Sequence, residues 1–364
     1  MFDLQEARFK EGVVKKTTVL VVEDSKFFQQ ILVGGINMDP ELEVVATAMD
    51  PFEARDAIVE YQPDVMTLDV ELPRMNGIEF LKRLLPQYSM PVVVVSAMNS
   101  AVFDALAAGA VDFVNKPALG SPPEDVLKFV TGELCTKIKI ASLARLGKAW
   151  ADHTLGRDMI LAKKATPANA GNRLIAIGAS TGGTEAIFSV VKHFDAGIPG
   201  TVVVQHMPPG FTAMYAERLN NNCEVEVREA RDGDEVRTGR VLIANGSKHM
   251  RLVKQGSGYV VSCRTEPKVN GHCPSVDVLF DSVAKEAGDR AIGVLLTGMG
   301  ADGANGLLAM RKAGAETIGQ DEDSCVVYGM PKVAYDIGAV KYKLGLSVIP
   351  SKIYQLLEGR SGNF

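Results

Sequence analysis

Four apolar runs between Thr17 and Pro117 each end on a polar or charged side chain, with helical patterns between them. Thr18-Val19-Leu20-Val21-Val22 leads into Glu23-Asp24, and Asp64-Val65-Met66-Thr67-Leu68 into Asp69. Pro91-Val92-Val93-Val94-Val95 ends at Ser96, and Val111-Asp112-Phe113-Val114-Asn115 at Lys116-Pro117. The intervening residues predict helices over 25–36, 51–61, 77–85, 100–108 and 123–137. Short β-branched runs alternating with helices predict a parallel sheet covered on both faces. The carboxyl ends of its strands then share one edge, where open sheets bind ligands. Three carboxylates, a hydroxyl and a lysine meet there, a set suited to Mg²⁺ and a phosphoryl group.

The chain has 364 residues, more than one ordinary core organises, so two domains are expected. Hydrophobic content of 46% and charged content of 23% fit a globular protein. A net charge of −5 leaves no electrostatic footprint for nucleic acid. No apolar run approaches the ~20 residues that span a bilayer, so no direct membrane insertion is expected. Residues 1–16 mix acids and bases and read as a short tail. The five cysteines (Cys135, Cys223, Cys263, Cys273 and Cys325) are odd in number and lack a C-x-x-C pair. That predicts reduced thiols in the cytoplasm. Small, breaker-rich residues over 165–172 suggest a linker. A second β/α series begins at Leu174-Ile175-Ala176-Ile177-Gly178. It includes Thr201-Val202-Val203-Val204, Val241-Leu242-Ile243-Ala244 and Ile292-Gly293-Val294-Leu295-Leu296. The expected domains are 17–138 and 173–360, joined by a linker over 139–172.

In the first domain Asp69 is the candidate phosphate acceptor. A carboxylate can attack a phosphoryl group when Mg²⁺ neutralises the charge between the two anions. Glu23, Asp24 and Asp69 would supply metal oxygens, with the backbone carbonyl of Glu71. Lys116 would pair with phosphoryl oxygens, and Ser96 would donate to one. The Asn115-Lys116-Pro117 turn makes Lys116–Pro117 a candidate cis bond.

In the second domain Gly178-Ala179-Ser180-Thr181-Gly182-Gly183 joins an apolar strand to a helical pattern. It fits G-x-S-x-G, which exposes a serine nucleophile on a tight turn. It also fits a glycine turn cradling phosphate on a helix N-terminus. A serine needs a base, and there are five histidines. His206 follows the strand 201–205 and so shares the edge of Ser180. His272, in Asn270-Gly271-His272-Cys273-Pro274, is the runner-up. His153 falls in the linker, His193 late in a helix and His249 in a turn. Asp302, in Thr297-Gly298-Met299-Gly300-Ala301-Asp302-Gly303, is the candidate carboxylate, with Asp277 as its alternative. Met299 and its neighbours could offer backbone N–H groups to an oxyanion. The order Ser-His-Asp differs from that of α/β-hydrolases, so another fold is expected.

Residues 17–138 resemble a response-regulator receiver domain. The matching stretches are Val22-Glu23-Asp24-Ser25, Leu68-Asp69-Val70-Glu71-Leu72-Pro73-Arg74-Met75-Asn76-Gly77, Ser96-Ala97 and Asn115-Lys116-Pro117. Residues from 173 to about 360 resemble the catalytic domain of the chemotaxis protein-glutamate methylesterases. The matches there are 175–183, Gln205-His206-Met207, His272-Cys273-Pro274-Ser275-Val276-Asp277, 296–304 and Tyr328-Gly329-Met330-Pro331. The resemblances imply two doubly wound α/β domains, a flavodoxin-like receiver and a Rossmann-like serine hydrolase domain. They imply Ser180 as nucleophile, His206 as base and Asp302 as its partner, with Thr181 and Met299 at the oxyanion. They imply that phosphorylation of Asp69, by a histidine kinase with Mg²⁺, repacks Ser96 and Phe113 and activates the second domain. The implied substrate is a glutamyl methyl ester, or a glutamine, on a chemoreceptor's cytoplasmic helices; ester hydrolysis itself would need no cofactor. Two alternatives are a receiver-controlled esterase for another substrate and a regulator without enzymatic activity.

Overall fold

The computed structural model describes residues 15–97, 101–118, 120–144, 166 and 173–359. The chain divides into two compact units, Met1–Leu146 and Gly147–Phe364. Most of the expected linker, His153 and most of the N-terminal tail lie outside the described residues.

The first unit holds five parallel strands: β1 (Thr17–Val22), β2 (Leu42–Ala48), β3 (Val65–Leu68), β4 (Val92–Ser96) and β5 (Asp112–Asn115). Their spatial order is β2-β1-β3-β4-β5, the flavodoxin-like order, which reverses direction between β1 and β3. All residues of β3 and β4 are buried, as β-branched runs covered on both faces must be. Truncating a core leucine such as Leu68 to alanine would cost about 2–5 kcal/mol. The helices between the strands are α1 (Lys26–Asn37), α2 (Pro51–Tyr61), α3 (Gly77–Leu84) and α4 (Ala101–Ala107). Helix α2 starts where its sequence requires. The Asp50 carboxylate accepts from the N–H groups of Phe52 and Glu53, and Pro51 fills the first turn. After β5 the chain runs through α5 (Pro123–Lys128), a π turn (Phe129–Leu134) and α6 (Cys135–Ser142). The Lys116–Pro117 bond is trans. Among the described residues the cis bond is Cys273–Pro274.

The second unit is built on a seven-stranded parallel sheet. Its strands are β6 (Leu174–Ala179), β7 (Thr201–Gln205), β8 (Glu226–Glu229), β10 (Arg240–Ile243), β13 (Ala291–Leu295), β14 (Glu316–Gln320) and β15 (Tyr342–Leu344). The order is β15-β14-β13-β6-β7-β10-β8. From β6 the chain fills one side of the sheet through β7, β8 and β10, then returns through β13 to fill the other. The switch point therefore lies between β6 and β13. Helices α7 (Gly183–Val191), α8 (Phe211–Asn222), α9 (Val276–Glu286), α10 (Ala304–Lys312), α11 (Met330–Asp336) and α12 (Ile349–Leu357) complete the unit. A small antiparallel sheet adds to the expected pattern: β9 (Glu235–Val236), β11 (His249–Gln255) and β12 (Gly258–Arg264), in the order β11-β12-β9. It places His249 at the start of a strand and fully buried, not in a turn.

Candidate functional sites at two sheet edges

At the edge of the first sheet, β1 delivers Glu23 and Asp24, β3 Asp69, β4 Ser96 and β5 Lys116. Lys116 Nζ donates to both oxygens of Glu23, at 2.9 Å each, and to Asp69 Oδ2 at 2.8 Å. One cation thus serves two buried carboxylates. Burial pushes the Glu23 carboxyl up to about 7, against the pull of Lys116. Burial also works against the Lys116 ammonium, but its bonds to Asp69 and Glu23 outweigh that and raise it. Carboxylate oxygens of Glu23, Asp24 and Asp69 lie within 4.8 Å of one another. Three hard oxygen donors at this spacing fit Mg²⁺. Glu71 reaches Asp69 through its N–H, which donates to Oδ1 at 3.0 Å. Gly77 lets the loop close on Asp69, since a Cβ there would lie 2.5 Å from the Asp69 carbonyl oxygen. Ser96 Oγ is buried and has no hydrogen-bond partner among the described residues. Phe113 is buried edge-on against Phe103, with centroids 6.4 Å apart.

The second site occupies the switch point of the larger sheet. Ser180 follows β6 directly, and His206 follows the neighbouring β7. Ala179 and Gln205 are register partners, so Ser180 and His206 leave adjacent strands at one level. The His206 N–H donates to the Ala179 carbonyl at 3.1 Å. Buried Gln205 braces both turns, its Nε2 donating to the carbonyls of Ser180 (2.8 Å) and His206 (3.2 Å). Strand β13 feeds the loop holding Asp302. That loop presses close, because a Cβ on Gly298 would lie 2.7 Å from Ser180 Cβ. The Ser180 N–H donates to the Thr297 carbonyl, and Thr297 Oγ1 donates to the Thr181 carbonyl, both at 3.0 Å. Ser180 and Thr181 are buried, whereas Met299 is 40% exposed.

Asp302 meets His206. Nε2 of the imidazole and Asp302 Oδ2 are 2.8 Å apart. Oδ2 also accepts from the Val276 N–H, and Oδ1 from Ser275 Oγ and Asn270 Nδ2. Burial opposes ionisation of Asp302, but its bonds to His206, Asn270 and Ser275 hold it well below the usual carboxylate range. An ionised carboxylate accepts only, so His206 carries its proton on Nε2. Nδ1 is then the basic nitrogen, and among the described residues it has no hydrogen-bond partner. The runner-up His272 lies stacked on the His206 ring. Asp277 instead accepts from the Gly306 N–H and Asn270, with burial raising its carboxyl.

Sequence reasoning had no role for Gln205, Asn270, Ser275 or Thr297. The one local signal was a polar residue closing an apolar strand, at Gln205.

Residues 175–353 match the family described as CheB methylesterase, and residues 19–126 match the response regulator receiver domain. A protein-glutamate methylesterase/protein-glutamine glutaminase 2 of Syntrophomonas wolfei is 58% identical over 344 residues, covering 94% of this chain and 98% of its own length. A protein-glutamate methylesterase/protein-glutamine glutaminase of Salmonella typhimurium is 47% identical over 344 residues, covering 93% and 97%. The crystal structure of the Thermotoga maritima CheB methylesterase catalytic domain is similar with a TM-score of 0.50 and 38% identity, covering 50% of this chain and 98% of that domain.

Proposed function

The chain belongs to the protein-glutamate methylesterase/protein-glutamine glutaminase family, and from that premise we propose how its residues carry the activity. It is a serine-type carboxylic ester hydrolase of chemotaxis adaptation, with a receiver domain that places it under phosphorylation control. We assign catalysis to Ser180, His206 and Asp302. The observation that carries this assignment is the His206–Asp302 bond beside Ser180 at the sheet's switch point.

His206 Nδ1 takes the proton of Ser180 Oγ, and the oxygen attacks the carbonyl carbon of a glutamyl methyl ester. Asp302 stabilises the imidazolium that forms. The N–H groups of Thr181 and Met299 face the oxyanion, where one such donor is worth about 10²–10³ in rate. The imidazolium returns its proton to the departing methoxide, and methanol leaves. His206 then deprotonates a water, which attacks the acyl carbon and releases glutamate and Ser180. With a glutamine side chain the same route expels ammonia.

In the receiver, Glu23, Asp24 and Asp69 would hold Mg²⁺, with the Glu71 carbonyl beside them. The ion would lower the repulsion between Asp69 and an incoming phosphoryl group. Asp69 is the acceptor, Lys116 pairs with the transferred oxygens, and Ser96 Oγ donates to one of them. Phe113 repacks as Ser96 moves. The phosphodonor is a chemotaxis histidine kinase, the substrate lies on the cytoplasmic helices of a chemoreceptor, and the enzyme works in the cytoplasm. No helix among the described residues is long and apolar enough to cross a membrane. The domain limits we adopt are 17–138 and 173–360, with 139–172 as linker.

The test compares methanol release from methylated receptor with turnover of small esters, for wild type and Ser180→Ala. Receptor demethylation and glutamine deamidation should fall together by at least about 10³ in Ser180→Ala. A folded variant near wild-type activity would remove Ser180 from the mechanism. Turnover of small esters without receptor demethylation would assign another substrate.

A further inference from the structure

The Asn270-Gly271 turn does more than reverse the chain. Its φ angles are +53° at Asn270 and +81° at Gly271. Two consecutive left-handed residues suit a type I′ turn, for which Asn-Gly is the favoured pair. Val269 and His272 close it by exchanging both backbone hydrogen bonds, at 3.0 and 2.9 Å. The turn brings two side chains to the site. Asn270 Nδ2 donates to Asp302 Oδ1 at 2.9 Å and to Asp277 Oδ2 at 2.8 Å. The His272 ring lies on that of His206, with centroids 3.8 Å apart and planes within 8°.

We propose that this turn is the positioning element of the acid–base pair, Asn270 fixing the carboxylate of Asp302 and His272 fixing the ring plane of His206. The inference rests on the assignment of Ser180, His206 and Asp302 above.

Asp302 must keep Oδ2 on His206 throughout the reaction. Rotation of the carboxylate would break that bond, and donors on Oδ1 oppose rotation. Two of those donors, Ser275 Oγ and the Asp277 N–H, belong to the start of α9. Asn270 is the third, and its amide bridges the carboxylates of Asp302 and Asp277. An amide has two N–H donors and so can bridge two carboxylates; an acid in its place could only repel them. His272 acts differently. Ring nitrogens point outward in the ring plane, so a parallel stack cannot pass a proton from one imidazole to the other. It can hold the facing ring flat. The titratable groups around the pair are Asp277, His272 and, through the Ser275 N–H on its Nδ1, His249.

Left-handed φ is tolerated by Gly and Asp as well as Asn. Asn270→Gly and Asn270→Asp therefore keep the turn and change only its chemistry. The experiment measures kcat, KM and the pH profile of kcat for methanol release from methylated receptor by the full chain. Asn270→Gly should lower kcat about tenfold to a hundredfold with KM within about twofold. Asn270→Asp should also move the acid limb of the profile to higher pH, because a third carboxylate favours the protonated base. His272→Phe should recover most of the kcat that His272→Ala loses. Wild-type kcat in Asn270→Gly with an unmoved limb in Asn270→Asp overturns the proposal. So does an equal loss in both with no limb shift, which marks a merely structural turn. Ser180→Ala is run alongside. If it is inactive while the turn variants behave as wild type, the turn inference fails alone. If it is active, the triad assignment fails and the turn's role goes with it.

Discussion

Asp302 accepts hydrogen bonds from His206, Val276, Ser275 and Asn270 while almost fully buried. That network has a consequence for stability. Its donors, above all His206, keep the native carboxyl ionised below the range of the unfolded chain. As pH drops through the ordinary carboxylate range, about 4, the unfolded state binds the proton first. The contribution of Asp302 is therefore complete above about pH 4 and is lost as pH falls towards the folded value. Urea unfolding of wild type and Asp302→Asn between pH 3 and 6 checks this. The wild type should lose more stability across that span; a steeper fall in the variant would reverse the sign. At this scale the sequence was only partly legible. Ser180, His206 and Asp302 stand out as candidates because each follows an apolar strand or lies in a glycine-rich loop, but His272 and Asp277 stand beside them as alternatives. Thr297 could not, since its hydroxyl bonds the Thr181 carbonyl 116 positions away. Asn270 was hidden the same way, 32 positions from Asp302.

Strand ends explain why so much of the fold could be read. Runs such as Val92–Ser96 and Ala291–Leu295 are buried throughout, and burial on both faces leaves an unbroken apolar signature. Strand β2 lacks that signature because it is an edge strand with exposed Glu43 and Thr47. The hairpin of β11 and β12 was missed for another reason. It buries one face only, with Tyr259, Val261 and Cys263 alternating against more exposed neighbours, and it interrupts the β/α rhythm around it. The loops between elements are held to tight tolerances. A Cβ on Gly298 would lie 2.4 Å from Met330 Sδ and 2.7 Å from Ser180 Cβ. Gly298→Ala should therefore displace Ser180 and lower kcat at least about tenfold, although Gly298 contributes no side chain. Kinetics with a thermal melt test this. Unchanged kcat would mean that Met330 yields and Ser180 stays put.

The molecule joins a response-regulator receiver unit to a methylesterase unit. Each has its own parallel sheet and core, and the three residues assigned to catalysis belong to the second. A fragment lacking residues 1–145 should fold and hydrolyse receptor methyl esters without responding to a phosphodonor. If the receiver restrains the resting enzyme, the fragment should also outpace the unphosphorylated full chain. A folded fragment slower than the resting chain would mean that the receiver activates directly. The central claim, that Asp69 phosphorylation drives Ser180 chemistry, is tested most directly by one assay. Methanol release from methylated receptor is measured with and without a small-molecule phosphodonor and Mg²⁺, for wild type, Asp69→Asn and Ser180→Ala. Wild type should speed up on phosphodonor addition, Asp69→Asn should stay at its basal rate, and Ser180→Ala should release methanol at least about 10³ more slowly than wild type. Stimulation of Asp69→Asn to the wild-type level, or methanol release by Ser180→Ala near the wild-type rate, would contradict the account.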